Sequence, residues 1–274
     1  MQAAKDILKS VYGYDEFRDG QEAIIDAVLS GERTLGIMPT GGGKSLTYQI
    51  PALLLPGITV VVSPLISLMK NQVDELVTMG IEATMINSAL DYRDLQDRMA
   101  ALEHGIFKLV FVAPERLEDP NFYNLLQTLP IELIVIDEVH VLSQWGHDFR
   151  PSYLRAVDLI ENLPGSPRLM ALTATATAHV QQDLEERLHI NKTVKTGFAR
   201  ENLTLKIEKG LSDKEKMAFL LAYVQERPGQ IGIIYAGTRK KVDELTAYLK
   251  ENQVSVCRYH AGMGDVARTQ AQEQ

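Results

Sequence analysis

One cysteine, Cys257, is all that 274 residues contain. A lone thiol excludes an intrachain disulfide and any thiolate-clustered zinc site, and it suits a reducing cytosol. Tryptophan is as scarce, with Trp145 standing alone. Positive charge is short too: 28 Lys and Arg face 36 Asp and Glu, a formal net charge of −8. No bulk positive field therefore draws in nucleic acid, and any such contact must be made locally, by loops. The first ten residues carry Lys5, Asp6 and Lys9 and no apolar signal core. Residues 50–69 lack charge over a length that could span a bilayer. Pro51, Pro56, Gly57 and Pro64 interrupt them, and the β-branched run Ile58-Thr59-Val60-Val61-Val62 reads as a buried strand. No membrane span is expected.

What is present is a soluble globular composition, 45% hydrophobic and 23% charged, long enough for one large domain or two modest ones. The chain is organised around Met38-Pro39-Thr40-Gly41-Gly42-Gly43-Lys44-Ser45. An apolar segment (Thr34 to Ile37) precedes it and a helical pattern follows, the order that a phosphate-binding loop requires. Glycines let backbone N–H groups converge on an anion, because no Cβ blocks the turn. Thr40, Gly41, Gly42 and Gly43 would form that cradle. Lys44 can reach the β- and γ-phosphates, and the Ser45 hydroxyl can ligate a magnesium ion between them. Met38 stands where the general pattern has a first glycine. Upstream, Gln21 could read both donor and acceptor on an adenine edge, and Tyr14 or Arg18 could stack on the base. All three residue types are also ordinary solvated surface.

The second strong signal is Leu133-Ile134-Val135-Ile136, an uninterrupted apolar run as expected of a parallel strand buried on both faces, ending in Asp137-Glu138-Val139-His140. A carboxylate at such a tip beside a phosphate loop suits the metal side of magnesium, hence Asp137, and Glu138 could polarise an attacking water. Other strands are expected at residues 58–62, 83–87, 108–112 and 169–172. Ser63, Ser67 and the helix N-terminus that opens at Pro64-Leu65 follow the first of these, and they could hold a phosphate or form an ordinary capped helix start. Arg116 could contact phosphate or pair with Glu115. Threonines 173, 175 and 177 offer hydroxyls near the γ-phosphate or a helix cap. Trp145 lies among Gly, Pro and polar residues, so it admits two readings: a flat face for a nucleobase, or core packing.

Domain boundaries are expected at 1–197 for an ATP-binding domain, 198–210 for a linker, and 211–274 for the incomplete N-terminal part of a second domain. The latter would hold helices over 214–225 and 239–250, with strands at 231–235 and 254–257. No internal repeat is visible.

These blocks resemble the RecQ family of superfamily 2 DNA helicases, in order and over essentially the whole chain. They run from Gly13-Tyr14, Phe17-Arg18 and Gln21 through MPTGGGKS, Val62-Ser63-Pro64-Leu65 and Ala113-Pro114-Glu115-Arg116-Leu117. Asp137-Glu138-Val139-His140, Gln144-Trp145-Gly146-His147-Asp148-Phe149-Arg150-Pro151 and Thr173 to Thr177 come next, and Ile233-Ile234-Tyr235 and Tyr259-His260-Ala261-Gly262-Met263 close the series. The resemblance implies an α/β fold: a RecA-like P-loop NTPase lobe, its parallel sheet flanked by helices, plus a partial second RecA-like lobe. It implies ATP and Mg2+ as cofactors, single-stranded or partly duplex DNA as partner, and 3′-to-5′ unwinding in DNA repair and recombination, in the cytoplasm or, in a bacterium, at the nucleoid. It assigns adenine to Tyr14, Arg18 and Gln21, magnesium to Ser45 and Asp137, and catalysis to Lys44, Asp137 and Glu138. DNA would meet Ser63, Pro64, Leu65, Arg116, His140, Gln144, Trp145, His147, Phe149, Arg150, Tyr235 and Arg239. Val139 replaces the family's usual alanine, a mild packing change. The family's later motifs, an arginine finger among them, and its zinc-binding and winged-helix regions would lie beyond this chain. A non-catalytic nucleotide- and DNA-binding module is the competing expectation; a P-loop kinase is disfavoured, because no acceptor lid is visible. Replacing Lys44 with Ala should abolish the rise in melting temperature that ATP–Mg gives the parent chain.

Overall fold

The computed structural model describes all residues except 88–89, 146–148, 198–202, 265–266, 269 and 272–274. The chain divides into two compact units, Met1–Ala199 and Arg200–Gln274. In the first, strands and helices alternate: α1 (Gln2–Ser10), α2 (Gln21–Leu29), β1 (Thr34–Ile37), α3 (Lys44–Leu54), β2 (Ile58–Val62), α4 (Ile66–Thr78), β3 (Ala83–Ile86), α5 (Tyr92–Glu103) and β4 (Leu109–Val112). A 3-10 turn at Pro114–Glu118 leads to α6 (Pro120–Thr128) and β5 (Ile131–Ile136). Another at Val139–Leu142 precedes α7 (Pro151–Glu161), β6 (Arg168–Thr173), α8 (Ala178–Arg187) and β7 (Lys192–Lys195). The seven strands form one parallel sheet in the order β3-β4-β2-β5-β6-β1-β7. The uncharged stretch at 50–69 resolves into the end of α3, β2 and the start of α4. Among the described residues no helix is long and apolar enough to cross a membrane.

Both faces of the sheet are dry, so its central strands read as continuous apolar runs. Alternate residues serve opposite cores. Val60, Val62, Val110, Ile134 and Ile136 pack with Leu102, Phe122, Tyr153 and Leu184 on one face. Val61, Phe111, Leu133 and Val135 pack with Ile24, Tyr48, Met69 and Leu76 on the other. Side-chain caps start several helices: Asp91 accepts from the Asp94 N–H, Asp119 from the N–H groups of Asn121 and Phe122, and Thr177 from that of Val180.

One close approach positions the functional edge. A Cβ on Gly36 in β1 would sit 2.7 Å from a Leu172 methyl and 2.9 Å from one of Ile24. The bare backbone there lets α2 settle on the sheet and brings Gln21 to the glycine loop.

The second unit contains α9 (Asp213–Gln225) and α10 (Arg239–Glu251). Ser212 and Glu215 form a reciprocal cap on α9, and Thr238 caps α10. Both helices lie where the sequence places them. The two strands expected at 231–235 and 254–257 do not form: neither segment carries ladder hydrogen bonds, and Ile231, Ile233 and Tyr235 are exposed. A parallel strand draws its bonds from a neighbour, and among the described residues of this unit no partner strand is present. Helices α1, α6 and α7 were not anticipated, although Asp119-Pro120 and Arg150-Pro151 are legible starts, with proline in the first turn.

Substituting Gly36 with Val should lower stability by about 1–3 kcal/mol, as overpacking does in a filled core, measured as a reduced urea midpoint at unchanged slope. It should also weaken nucleotide binding, because α2 is displaced.

Candidate functional site

Strand order assembles the site. β5, β6 and β1 are consecutive in the sheet, so the segments leaving their carboxyl ends lie side by side. From β1 comes the glycine loop. Gly41 and Gly43 both have φ of 79°, which favours glycine. A Cβ on Gly42 would approach the Pro39 carbonyl to 2.9 Å, and one on Gly43 would approach Gln21 Nε2 to 2.3 Å. The cradle therefore tolerates no side chain at either place. Gly43 opens α3, whose first residues are Lys44 and Ser45. The Lys44 ammonium donates to the Met38 carbonyl at 3.3 Å, while Thr40 is exposed at the loop tip.

Gln21 is buried, and both ends of its amide touch protein. Oε1 accepts from the Arg18 N–H at 2.8 Å, and Nε2 donates to the Gly43 carbonyl at 3.0 Å. The Arg18 guanidinium donates to the Gly41 carbonyl at 2.6 Å. Gln21 and Arg18 thus brace the glycine loop from outside. Tyr14, Arg18, Gln21, Gly43, Ser45 and Leu46 are among the residues that line a cleft of about 280 Å³. Tyr14 is half exposed there.

From β5 come the acids. The Asp137 N–H still donates to Val62 of β2 at 2.8 Å, and its carboxylate accepts the Glu138 N–H at 2.9 Å. Burial first, then the Glu138 charge, push the Asp137 carboxyl up to about 6; that N–H bond and the charges of Lys44 and His140 pull the other way. Glu138 is held below its ordinary value, chiefly by its hydrogen bond from His140 and with help from the Lys44 charge. The strand order sets the β1 loop that carries Lys44 two places from these acids at one edge of the sheet, and the Lys44 charge favours the ionised form of both. Glu138 occupies the left-handed region at φ 49°, ψ 41°, a costly conformation for a residue with a Cβ. The Tyr153 hydroxyl donates to the Asp137 carbonyl at 3.3 Å.

From β6 comes Thr173. Its hydroxyl donates to the Thr175 carbonyl at 3.0 Å, so toward His140 Nδ1, 3.1 Å away, it can only accept. Nδ1 also lies 3.2 Å from a Glu138 carboxylate oxygen. Both neighbours are acceptors, which assigns the ring proton to Nδ1 and makes His140 a bridge between the acid and the threonine strand end.

Residues expected to meet nucleic acid are scattered more widely. Ser63 is buried with no hydrogen-bond partner for its hydroxyl, Pro64 is partly buried, and Leu65 is 46% exposed. Arg116 is paired with Asp119 at 2.9 Å rather than with Glu115. Gln144 is exposed, and Trp145 is 76% exposed, so Trp145 is no core residue. Phe149 and Arg150 are partly buried, and the Arg150 N–H closes the base of the loop on Val141 at 2.9 Å. His147 lies outside the described residues. Tyr235 and Arg239 belong to the second unit, both exposed. Sequence reasoning missed Tyr153, because nothing in a helix pattern says where a buried hydroxyl will land.

A glycine loop after one strand, an acid pair after a strand two places away, and a sheet buried on both faces define a RecA-like domain of the P-loop class. Its donor set fits a metal-bound triphosphate: a backbone cradle without room for Cβ, an ammonium, a hydroxyl at a helix start, and a carboxylate uncomfortable without a cation. The model of the DEAD/DEAH box helicase family matches residues 18–184, and the chain belongs to that family. It is 47% identical over its whole length to the ATP-dependent DNA helicase RecQ of Bacillus subtilis (strain 168), and 43% identical over 98% of its length to that of Haemophilus influenzae. The resemblance to RecQ helicases read from the motifs therefore stands. The chain spans 46% and 43% of these relatives' lengths. Among solved structures, the DEAD-box helicase Mss116 bound to ssRNA and UDP-BeF superposes with a TM-score of 0.70 at 17% identity, covering 94% of this chain and 58% of that one. The Mycobacterium smegmatis helicase Lhr bound to ssDNA and AMP-PNP gives 0.68 at 16%, covering 96% and 38%. At such identities the likeness establishes the fold.

An acid raised from 3.8 to about 6 destabilises the native state above pH 6 and not below pH 4, where it is protonated folded or unfolded. Asp137→Asn should therefore stabilise the metal-free protein by about 2 kcal/mol at pH 7.5, its solvent-facing edge limiting the gain. The advantage should fade as pH falls toward 4, in denaturant titrations across that range.

Proposed function

We propose that this chain is the ATP-binding part of a RecQ-type DNA motor, which couples ATP hydrolysis to 3′-to-5′ movement on single-stranded or partly duplex DNA in repair and recombination. In this reading residues 1–197 form the ATP-binding domain, 198–210 the linker and 211–274 the beginning of a second RecA-like lobe, working in the cytoplasm or at a nucleoid. The observation that carries it is the glycine cradle after β1 set two strands from the acid pair after β5, at the same edge of the sheet.

Bound magnesium would neutralise charge on the β- and γ-phosphates. The chain's own groups do the rest. N–H groups of residues 41–45 hold phosphate oxygens, the Lys44 ammonium leaves the Met38 carbonyl for the β/γ-oxygens, and Ser45 and Asp137 take the metal side. Glu138, kept ionised by His140, orients a water and accepts its proton. Tyr14 flanks the base, and Arg18 and Gln21 give up their bonds to the Gly41 and Gly43 carbonyls to meet its face and edge. His140 and Thr173 carry the state of the acid toward the strand end next door.

DNA contact fits exposed loops on a chain whose net charge is −8. Trp145 offers a free indole face, worth about 1–3 kcal/mol for one stacked base. Gln144, His147, Phe149 and Arg150 share its loop, and Ser63, Pro64, Leu65, Arg116, Tyr235 and Arg239 would line the rest of the strand's path. No described residue is assigned the cation that offsets transition-state charge, a role worth roughly 10³–10⁵ in rate. The 274 residues assayed by themselves should therefore bind ATP–Mg and turn it over slowly. The unformed strands of the second unit favour, as a second reading, a nucleotide- and DNA-binding module without activity.

ATPase assays with and without single-stranded DNA test this. Slow turnover with measurable nucleotide binding is expected; DNA-stimulated turnover at ordinary helicase rates would refute it. Trp145→Ala should leave nucleotide affinity unchanged and weaken single-stranded DNA binding about 5- to 150-fold, by fluorescence anisotropy of a labelled oligonucleotide.

A further inference from the structure

We infer that Tyr153 is a positioning residue for the acid pair: its hydroxyl holds the Asp137 carbonyl and so fixes the reversed backbone that carries Glu138. This rests on the reading that Lys44 and Asp137 serve one metal-bound nucleotide.

The peptide plane between Asp137 and Glu138 decides where both carboxylates point. Glu138 sits at φ 49°, ψ 41°, and a residue with a Cβ stays there only when its surroundings hold it. Rotating that one plane would change ψ of Asp137 and φ of Glu138 together and release the turn. Its two polar ends are occupied. The N–H of Glu138 donates to the Asp137 carboxylate at 2.9 Å, an internal bond that a metal on the carboxylate would compete for. The Asp137 carbonyl accepts from the Tyr153 hydroxyl at 3.3 Å, a bond from a different helix that metal leaves untouched. The strand side is already secured, since the Asp137 N–H is held by Val62.

Tyr153 itself has little freedom. Its side chain is fully buried within the core on that face of the sheet. Its N–H donates to the Arg150 carbonyl at 3.0 Å, and the Arg150 N–H reaches Val141 at 2.9 Å, so the start of α7 is anchored to the turn that follows the acids. The ring fills core as a phenylalanine would. The hydroxyl adds a hydrogen bond aimed at the one carbonyl whose orientation sets the site.

A matched control exists in the same domain. Tyr123 of α6 donates its hydroxyl to the Leu159 carbonyl of α7 at 2.9 Å, away from the acids. Tyr153→Phe and Tyr123→Phe can be compared with the parent 274-residue chain by titrating a fluorescent non-hydrolysable ATP analogue, in EDTA and in Mg2+. In EDTA all three should bind within twofold of one another. Mg2+ should strengthen binding by the parent and by Tyr123→Phe equally, and Tyr153→Phe should lose about tenfold of that gain, as happens when the support of a metal ligand is removed. Equal Mg2+ gains in both variants would overturn the inference while leaving the shared-metal site intact. Failure of Tyr153→Phe to fold, judged by its thermal melt, would also overturn it, since the hydroxyl would then serve the fold as a whole. No Mg2+ gain in the parent chain would overturn the site reading and this inference with it.

Discussion

Two carboxylates and one ammonium meet at the carboxyl edge of the sheet, and burial makes the meeting uncomfortable until a cation joins them. Asp137 bears most of the strain: burial and the neighbouring charge of Glu138 raise it, and Lys44 only partly answers them. A site with this electrostatic debt is poised for a divalent metal, because the same crowding that destabilises the empty carboxylate strengthens its hold on a positive partner. The rest of the domain serves that crowding. The order β5-β6-β1 places the acids two strands from the lysine, with Thr173 between, and β2 fixes the base of Asp137 through its N–H.

Around this centre the polar contacts form short chains rather than a single wire. Gln21 and Arg18 brace the glycine loop through three of its carbonyls, so an occupant of the base cleft and one of the phosphate cradle act on the same backbone. His140 joins Glu138 to Thr173. Trp145 donates its N–H to the Ser143 hydroxyl, and the Arg150 N–H bonds back to Val141 beside the helix start that carries Tyr153. These links join the base cleft, the acid pair and the turn that leads to Trp145.

The candidate site was legible because its chemistry is written in runs: three glycines before Lys-Ser can hardly serve anything but an anion, and Leu133-Ile134-Val135-Ile136 has no solvent face to offer. Strand bounds matched closely for the same reason. What sequence left open were questions of partner. Trp145 could have been core until its exposure settled the matter. Arg116 was as well explained by Glu115, yet it pairs with Asp119, which also caps α6. Tyr153 carried no signal, since the target of its hydroxyl depends on how α7 docks. The pattern over-reached at residues 231–235: a β-branched run marks a strand only if another strand lies beside it, and hydrophobicity along the chain cannot supply that neighbour.

The central claim is that one metal-bound triphosphate is gripped from both sides, by the β1 loop and by the tip of β5. A crystal structure of the chain with manganese and a non-hydrolysable ATP analogue, phased on the manganese anomalous signal, addresses it most directly. The account predicts a single strong peak about 2.1–2.2 Å from Ser45 Oγ and from phosphate oxygens, an ordinary divalent metal–oxygen distance, with the Asp137 carboxylate bound to it directly or through one water. Manganese and triphosphate seated on the glycine loop with the Asp137 carboxylate turned away, or seated elsewhere on the domain, would contradict it.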